Sequence, residues 1–209
     1  MSPRPYRLGR RQEAIEQTRT RILAATRELL VGSDAFAAFT IDAVARKAGV
    51  ARMTVYYQFG SKAGLLEALM DDLAARGQMD RLALAFQQPE PLDALDGFIA
   101  AFGRFWSAER LALRRLRSLA ALDPDFEQAV RGRDEWRRQG LRVIMQRVVE
   151  RYARPSPEVM DEAVDLLYTL TSFETFDTLA GTRRTPQEVT PQVQRLAHAI
   201  FDTGGHKLI

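Results

Sequence analysis

The chain has 209 residues, of which 46% are hydrophobic and 27% charged, with a net charge of +3 and no cysteine. This composition is typical of a globular protein of one or two domains, and the lack of cysteine excludes disulfides, thiol nucleophiles and thiolate metal sites. No apolar run reaches the roughly 20 residues of a membrane-spanning helix. No secretory signal pattern follows the N-terminal arginines. We therefore expect a cytoplasmic protein without a membrane partner.

Charge is distributed unevenly along the chain. Residues 1–62 hold eleven Lys and Arg against five Asp and Glu, whereas the remainder has three more acidic than basic residues. A basic N-terminal part followed by a mildly acidic body favours a phosphate-binding domain joined to a domain with a second role. A chance fluctuation of charge is the alternative explanation.

The N-terminal residues predict an arm followed by a first helix. Residues 1–12 are rich in Pro and Arg and lack hydrophobic periodicity, which predicts a flexible basic arm. From about residue 13 to 31, apolar residues recur at helical spacing and predict the first helix. The break that follows contains Phe36 and Phe39, which we expect to fill the core of this domain.

Two short helical patterns then meet at Gly49. Apolar residues recur one turn apart over 41–48, and Thr40 stands where an N-cap hydroxyl would satisfy free backbone donors. The second pattern is anchored by apolar residues such as Val55. Its outward residues are Arg52, Met53, Thr54, Tyr57 and Gln58. A short helix that carries these groups fits a major groove, so the pair predicts a helix-turn-helix that reads DNA.

Residues 49–62 carry a more specific signal. They run GVARMTVYYQFGSK after Thr40, and they resemble the DNA-binding signature of the TetR family of bacterial transcriptional repressors. The resemblance covers about residues 15–69 and implies that Thr40, Tyr56 and Lys62 hold phosphates of the DNA backbone. Three positions depart from the usual family pattern and leave the preferred bases open: Met53, Gln58 and Gly60.

The rest of the chain predicts further helices. Ser61 is a plausible N-cap for a connecting helix over 61–77. Beyond it, Pro and Gly separate helical patterns at about 92–107, 109–122, 125–153, 157–180 and 190–203. The predicted fold is all-α. It combines a three-helix DNA-binding domain over 13–60 with a helical ligand-binding and dimerisation domain over 78–209.

Large aromatic side chains concentrate in this second domain: Phe98, Phe102, Phe105, Trp106, Phe126, Trp136, Phe173 and Phe176. They favour an apolar pocket for a small apolar or aromatic effector, although rings at helical spacing are more often plain core. The candidate ligand-binding residues are Phe102, Trp106, Met145, Phe173 and Phe176. Polar groups that can orient a ligand are Arg104, Arg114, Thr171 and Glu174.

A single helix-turn-helix contacts only a few base pairs, so useful specificity predicts a homodimer on a palindromic operator. We expect the interface on the last two helices, which are rich in apolar residues. The face predicted to meet the second copy consists of Met160, Val164, Tyr168, Ala197 and Phe201. The opposite face, which includes Leu166 and Leu196, is expected to pack internally.

No catalytic constellation is recognisable, and His198 and His206 lack the neighbours that a metal site requires. We therefore expect no enzymatic activity and no cofactor. The predicted function is that of a ligand-responsive dimeric repressor of transcription that binds a double-stranded DNA operator. Two alternatives stay open: a helical enzyme or small-molecule carrier without specific DNA binding, and a DNA-binding architectural protein without sequence preference.

Overall fold

The computed structural model describes residues 4–32, 39–152 and 157–203, with side chains described from residue 12 to 201 within those ranges. All regular elements there are helices, which confirms the predicted all-α class. Phe36 and His206 lie outside the described residues. In the described ranges, no helix has both the length and the apolar character that crossing a bilayer requires.

The chain forms two compact units. The first consists of residues 1–72 and 114–128, and the second of residues 73–113 and 129–209. The sequence places 114–128 in the C-terminal domain, so the units follow the chain less simply than the predicted domain bounds. The roles assigned to the predicted domains stay predictions.

The first unit opens with α1, Arg4–Val31. Residues 4–12 are therefore helical, where the sequence predicts an irregular arm. Pro5 lies in the first turn of α1, where a missing N–H removes no helical hydrogen bond. The Arg, Gln and Glu that follow favour a helix by propensity, even without an apolar face.

Three further helices begin in this unit: α2 (Ile41–Ala48), α3 (Arg52–Phe59) and α4 (Lys62–Arg76), the last of which ends in the second unit. The predicted N-caps of α2 and α4 are confirmed. The Thr40 hydroxyl accepts a hydrogen bond from the Ala43 N–H at 3.1 Å, and the Ser61 hydroxyl accepts one from the Gly64 N–H at 3.0 Å. Each hydroxyl satisfies a backbone donor that the first helical turn leaves free.

The arginine-rich segment at residues 114–117 contributes to the same unit. It lies in α7, Arg110–Ala120, and Arg115 donates hydrogen bonds to the carbonyls of Leu30 and Gly32. These carbonyls belong to the C-terminal end of α1, where backbone acceptors lack helical partners and cations are favoured. Arg115 therefore fixes the end of α1.

The second unit contains the last turn of α4, the start of α7 and the helices α5 (Leu82–Phe86), α6 (Pro91–Ala108), most of α8 (Pro124–Tyr152), α9 (Pro157–Leu170), α10 (Phe173–Ala180) and α11 (Thr190–Thr203). Short 3₁₀ turns precede α5 and α11 at Met79–Arg81 and Gln187–Val189. Four of the five predicted segments match helices within two residues at each end. The short helix α5 is not predicted.

The fifth predicted segment, 157–180, is divided into α9 and α10. Ser172 adopts an extended backbone, with φ −68° and ψ 155°, and its hydroxyl accepts from the Thr175 N–H at 3.2 Å. Trp106 donates its indole N–H to the Thr171 carbonyl at 3.1 Å. The break persists because a serine cap and a tryptophan replace helical hydrogen bonds.

Candidate functional site

The corner between α2 and α3 is set by Gly49. This residue has φ 66° and ψ 38°, a left-handed conformation that glycine adopts without steric cost. The Gly49 N–H donates to the Arg46 carbonyl at 3.3 Å, and the Val50 N–H donates to the Ala45 carbonyl at 3.0 Å. The predicted sharp turn is confirmed, and only three residues separate the end of α2 from the start of α3.

One side of α3 holds the helix in place and the other side is open. Val55 is buried, whereas Arg52, Met53 and Tyr57 are exposed, and Tyr57 keeps 93% of its accessible surface. A tyrosine this exposed, one turn beyond an exposed methionine, is unusual for a surface without a partner. The outward placement predicted for these three residues is confirmed, and their contact with DNA stays a prediction.

Arg52 has partners within its own unit. Its Nη1 lies 3.2 Å from Oδ2 of Asp42 in α2, and its Nη2 donates to the Tyr56 hydroxyl at 3.4 Å. The guanidinium carbon lies 5.6 Å from the centre of the Tyr56 ring. The hydrogen bond to Tyr56, with the nearby Asp42 carboxylate, raises the pKa of the Arg52 guanidinium above its ordinary value. Arg52 is therefore a charged group held at the first turn of α3.

The three residues expected to hold phosphates lie at the borders of α2, α3 and α4. Thr40 is exposed, and its hydroxyl caps α2 as an acceptor, so the hydroxyl hydrogen can still be donated to an external oxygen. Tyr56 is half-buried, and its hydroxyl accepts from Arg52. The Lys62 ammonium lies 5.5 Å from the centre of the Phe39 ring. Contact with phosphates stays a prediction for all three.

Arg19 positions α3 and is a residue that sequence reasoning missed. Its guanidinium carbon lies 4.6 Å from the centre of the Phe59 ring, and its Nη1 donates to the Gln58 carbonyl at 3.3 Å. Both contacts join α1 to the C-terminal end of α3. An arginine 39 residues away in sequence gives no local sign of this role, because only the folded unit brings it to α3.

Residues 22–69 of the chain match the family model described as bacterial regulatory proteins, tetR family. This segment, 48 of the 209 residues, is therefore similar to the TetR family of bacterial regulatory proteins. The match spans α2, α3 and most of α4, so the resemblance seen in residues 49–62 is confirmed. The similarity to bacterial regulatory proteins fits the predicted regulator of transcription and favours it over the enzyme alternative.

Solved structures share the fold of this chain. A TetR transcription regulator from Haloarcula marismortui is 21% identical with a TM-score of 0.66, covering 90% of this chain and 97% of that chain. NalD, described as the secondary repressor of the MexAB-OprM multidrug efflux pump in Pseudomonas aeruginosa, is 20% identical with a TM-score of 0.66, covering 91% and 100%. A transcriptional regulator from Rhodococcus sp. Rha1 is 17% identical with a TM-score of 0.66, covering 88% and 96%. No curated protein matches the chain.

The second unit contains a continuous row of aromatic rings. Successive ring centres are 6.0, 4.9, 5.4 and 5.7 Å apart along the row Phe86, Phe98, Phe102, Trp106 and Phe173. The other two candidate ligand-binding residues, Met145 and Phe176, are also buried. All five candidates therefore lie in the interior of the chain, and whether any of them contacts an effector stays a prediction.

Two of the aromatic residues predicted in this region lie elsewhere. Trp136 is 61% exposed on α8, and Phe126 belongs to the first unit. Trp136 is off the core because α8 buries a stripe that includes Val130, Leu141 and Ile144, and Trp136 stands outside that stripe. These two rings therefore cannot join the row described above.

A buried arginine lies beside the aromatic row and was not predicted from the sequence. Arg137 is 2% exposed, and its Nη1 donates to the Tyr168 carbonyl at 2.6 Å and to the Thr171 hydroxyl at 2.7 Å. Its guanidinium carbon lies 4.2 Å from the Tyr168 ring centre and 5.9 Å from that of Phe102. Nη2 lies 3.4 Å from Asp134 Oδ1. Arg137 thus joins α8 to the C-terminal end of α9.

The predicted dimer face requires a correction. Val164, Ala197 and Phe201 are buried inside the chain, so they cannot form an outward face. Met160 and Tyr168 are partly exposed. The error has a simple cause, since α9 and α11 are apolar around much of their circumference and periodicity does not tell the inner stripe from the outer one.

Leu166 on α9 and Leu196 on α11 point outward instead, with 46% and 47% of their surface accessible. The sequence expects both to pack internally. The two helices pack against each other within the second unit. Leu166 and Leu196 therefore replace the three buried residues as the exposed apolar positions of this helix pair.

Proposed function

We propose that the chain is a dimeric, effector-responsive transcriptional repressor that binds a palindromic operator through α2 and α3. The observation that carries this proposal is the outward surface of α3, where Arg52, Met53 and Tyr57 are exposed opposite the buried Val55. Such a set combines donors, a phenol and apolar area on one helix. It suits base edges and thymine methyl groups better than water.

The dimensions of α3 suit a major groove. An α-helix with its side chains is about 10–12 Å in diameter, which is close to the groove width of about 12 Å, and the eight residues of α3 extend about 12 Å in length. Arg52 can donate two hydrogen bonds to a guanine edge, and Thr54 offers a hydroxyl and a methyl group. Tyr57 reaches furthest from the helix and can contact a thymine methyl group or a phosphate. These side chains supply the proposed base preference.

Backbone contacts would fix the orientation of the helix. Thr40 at the start of α2, Tyr56 on α3 and Lys62 at the start of α4 each present a donor at an exposed or half-exposed position. Donors of this kind bind phosphate oxygens without reading sequence, and they set the register of the helix in the groove. Lys62 supplies the only full charge among the three.

A dimer is proposed because one α3 helix reads too few base pairs for a useful specificity ratio. Two copies related by a two-fold axis present two such helices to half-sites about one turn of DNA apart. The exposed Leu166 and Leu196 support an interface built from α9 and α11, with Met160 and Tyr168 beside them.

Effector control is proposed for the second unit. The contiguous rings of Phe102, Trp106 and Phe173, with Met145 and Phe176 also buried, support a small apolar or aromatic ligand. Helix α4 begins in the first unit and ends in the second. Ligand binding would favour a conformation that moves α4, so that the two α3 helices of the dimer no longer match their half-sites. NalD, which shares the fold, is described as a repressor.

Selection of preferred sites from a pool of random duplexes tests the proposal against its alternatives. A repressor enriches one palindromic site, a nonspecific architectural protein enriches none while it binds every duplex, and an enzyme or carrier retains no DNA. Thermal-shift measurements with aromatic compounds, repeated with the selected duplex, then test the effector, because ligand and operator must be linked through one equilibrium.

Replacing Tyr57 with alanine is expected to weaken binding to the selected operator by roughly 30-fold. Each of the two α3 helices in the dimer would lose about 1 kcal/mol of binding free energy. The reason is that Tyr57 is fully outward and has no core role that its loss would disturb. Fluorescence anisotropy with the selected duplex measures the change. Tyr152→Ala in the second unit is the matched control, and an equal effect of both variants would contradict a contact by Tyr57.

Replacing Lys62 with alanine is expected to weaken binding to selected and random duplexes alike. Loss of one phosphate contact should also reduce the slope of log affinity against log salt concentration by about one for each copy in the dimer. Titrations at several salt concentrations measure that slope. Lys62→Arg keeps the charge and should keep the slope, whereas an unchanged slope in Lys62→Ala would rule out the phosphate contact.

A further inference from the structure

Asp42 lies at the second position of α2, facing the first turn of α3. Its Oδ2 is 3.2 Å from Arg52 Nη1, and both side chains are more than half exposed. Tyr56 holds the other terminal nitrogen of the same guanidinium at 3.4 Å. The long and flexible side chain of Arg52, on the proposed DNA-reading surface, is therefore tethered by two contacts within its own unit.

The tether leaves donors available. Each terminal nitrogen of a guanidinium carries two hydrogens, and the contacts to Asp42 and Tyr56 use one on each. One hydrogen on Nη1 and one on Nη2 remain for an external acceptor. Two donors of this kind match the paired acceptors of a guanine edge.

The tether also restricts what Arg52 can reach. An untethered arginine has many rotamers and can swing to whichever phosphate is nearest, which strengthens binding to every sequence equally. The attraction of Asp42 for Arg52 opposes movement of the guanidinium toward a phosphate. Phosphates also repel the negative charge of Asp42 itself. A carboxylate beside the proposed DNA-reading surface lowers overall affinity for DNA, and a gain in base discrimination by Arg52 would offset that loss.

We propose that Asp42, with Tyr56, positions Arg52 for a base edge and keeps it from nonspecific phosphate contacts, which makes Asp42 a specificity-determining residue. This inference rests on the proposed function, since it concerns the base preference of the same helix. Asp42 acts through Arg52 and is therefore a positioning residue. Its effect should appear in the ratio of specific to nonspecific affinity, and not simply in affinity for the operator.

The test uses the full chain carrying Asp42→Asn, measured on the selected operator, on operators altered at single base pairs, and on a random duplex. We expect binding to the random duplex to strengthen and its salt slope to increase, because a negative charge is removed and Arg52 is released. Discrimination at one base pair of each half-site should fall by roughly five- to thirtyfold, the size of a lost bidentate contact.

Three further variants separate positioning from general charge and from folding. Glu28→Gln removes the same charge from the same unit at the Lys47 ion pair, which has a 2.8 Å contact, and it should leave discrimination unchanged. Tyr56→Phe removes the second anchor together with the proposed phosphate donor, so it should lower discrimination and also weaken binding to the random duplex. In an Arg52→Ala background, Asp42→Asn should have no effect on discrimination. Thermal unfolding checks that each variant is folded.

The outcomes are distinct. If wild-type protein selects a site and Asp42→Asn keeps its discrimination within twofold, the inference is overturned while the proposed function stands. The same holds if Glu28→Gln lowers discrimination equally, or if the effect of Asp42→Asn survives without Arg52. If wild-type protein selects no site, the proposed function fails and the inference falls with it.

Discussion

Replacing Arg137 with alanine is expected to lower the free energy of unfolding by about 3–5 kcal/mol. This is the cost of breaking a buried ion pair, here the one with Asp134, by removing one partner. The side chain is 2% exposed and donates to the Tyr168 carbonyl and the Thr171 hydroxyl. Without it, both acceptors lose a charged donor in the interior, and the face of the Tyr168 ring loses a cation at 4.2 Å. Urea denaturation followed by circular dichroism measures the loss.

The neighbouring residue provides a matched control. Arg138 pairs with Asp165, but the two side chains are 33% and 58% exposed, so Arg138→Ala should cost only about 0–1 kcal/mol. The two variants change adjacent residues of the same type on α8 and differ in burial. Equal denaturation midpoints would show that the buried contacts of Arg137 do not stabilise the fold.

The position of Arg137 in the helical repeat of α8 predicts that the side chain is buried. Arg137 follows Val130 by seven residues and precedes Leu141 and Ile144 by four and seven, so it lies on the apolar stripe of α8. A charged residue on such a stripe signals a buried and partnered group. The partners themselves were beyond prediction, because Tyr168 and Thr171 are about thirty residues away.

The helix-turn-helix part of the first unit was predictable because its signals are local. Thr40 and Ser61 each form the capping hydrogen bond that their position predicts, and Gly49 adopts the left-handed turn. Each of these features depends on a few adjacent residues and on backbone groups that need a partner. The outward residues of α3 follow from the single anchor at Val55. Their proposed contacts with bases remain to be measured.

The second unit was predictable in its helices and less so in its faces. Helix ends follow Pro and capping residues, yet the break at Ser172 needed the Trp106 indole to take the Thr171 carbonyl. The orientation of α9 and α11 failed for a different reason. Where apolar residues surround a helix, burial is decided by tertiary packing, and Leu166 points outward although its neighbour Leu167 is buried.

Gly64 has no role that its sequence neighbourhood reveals, and the structure gives it one. It is the third residue of α4, and a Cβ atom added there would lie 2.2 Å from the Phe59 carbonyl oxygen at the end of α3. That oxygen belongs to the backbone and accepts from the Ser61 N–H at 2.8 Å. A side chain at residue 64 would therefore have to move the end of α3 away from the start of α4.

Gly64→Ala is accordingly expected to lower the free energy of unfolding by about 2–3 kcal/mol, the typical cost of overpacking against an unyielding group. Gly132→Ala is the control, because Gly132 is an exposed residue of α8 with open space around its Cβ position. The control should gain about 0.5–1 kcal/mol from helix propensity alone. Denaturation of both variants measures the two changes, which have opposite signs.

The same pair of variants links stability to the proposed DNA contacts. Gly64→Ala displaces α3, so at temperatures where the protein is still folded it should also weaken binding to the selected operator at least tenfold, which corresponds to a further 1.4 kcal/mol. Gly132→Ala should leave that affinity unchanged. A folded Gly64→Ala variant with wild-type affinity would mean that the junction between α3 and α4 does not set the position of the DNA-facing helix.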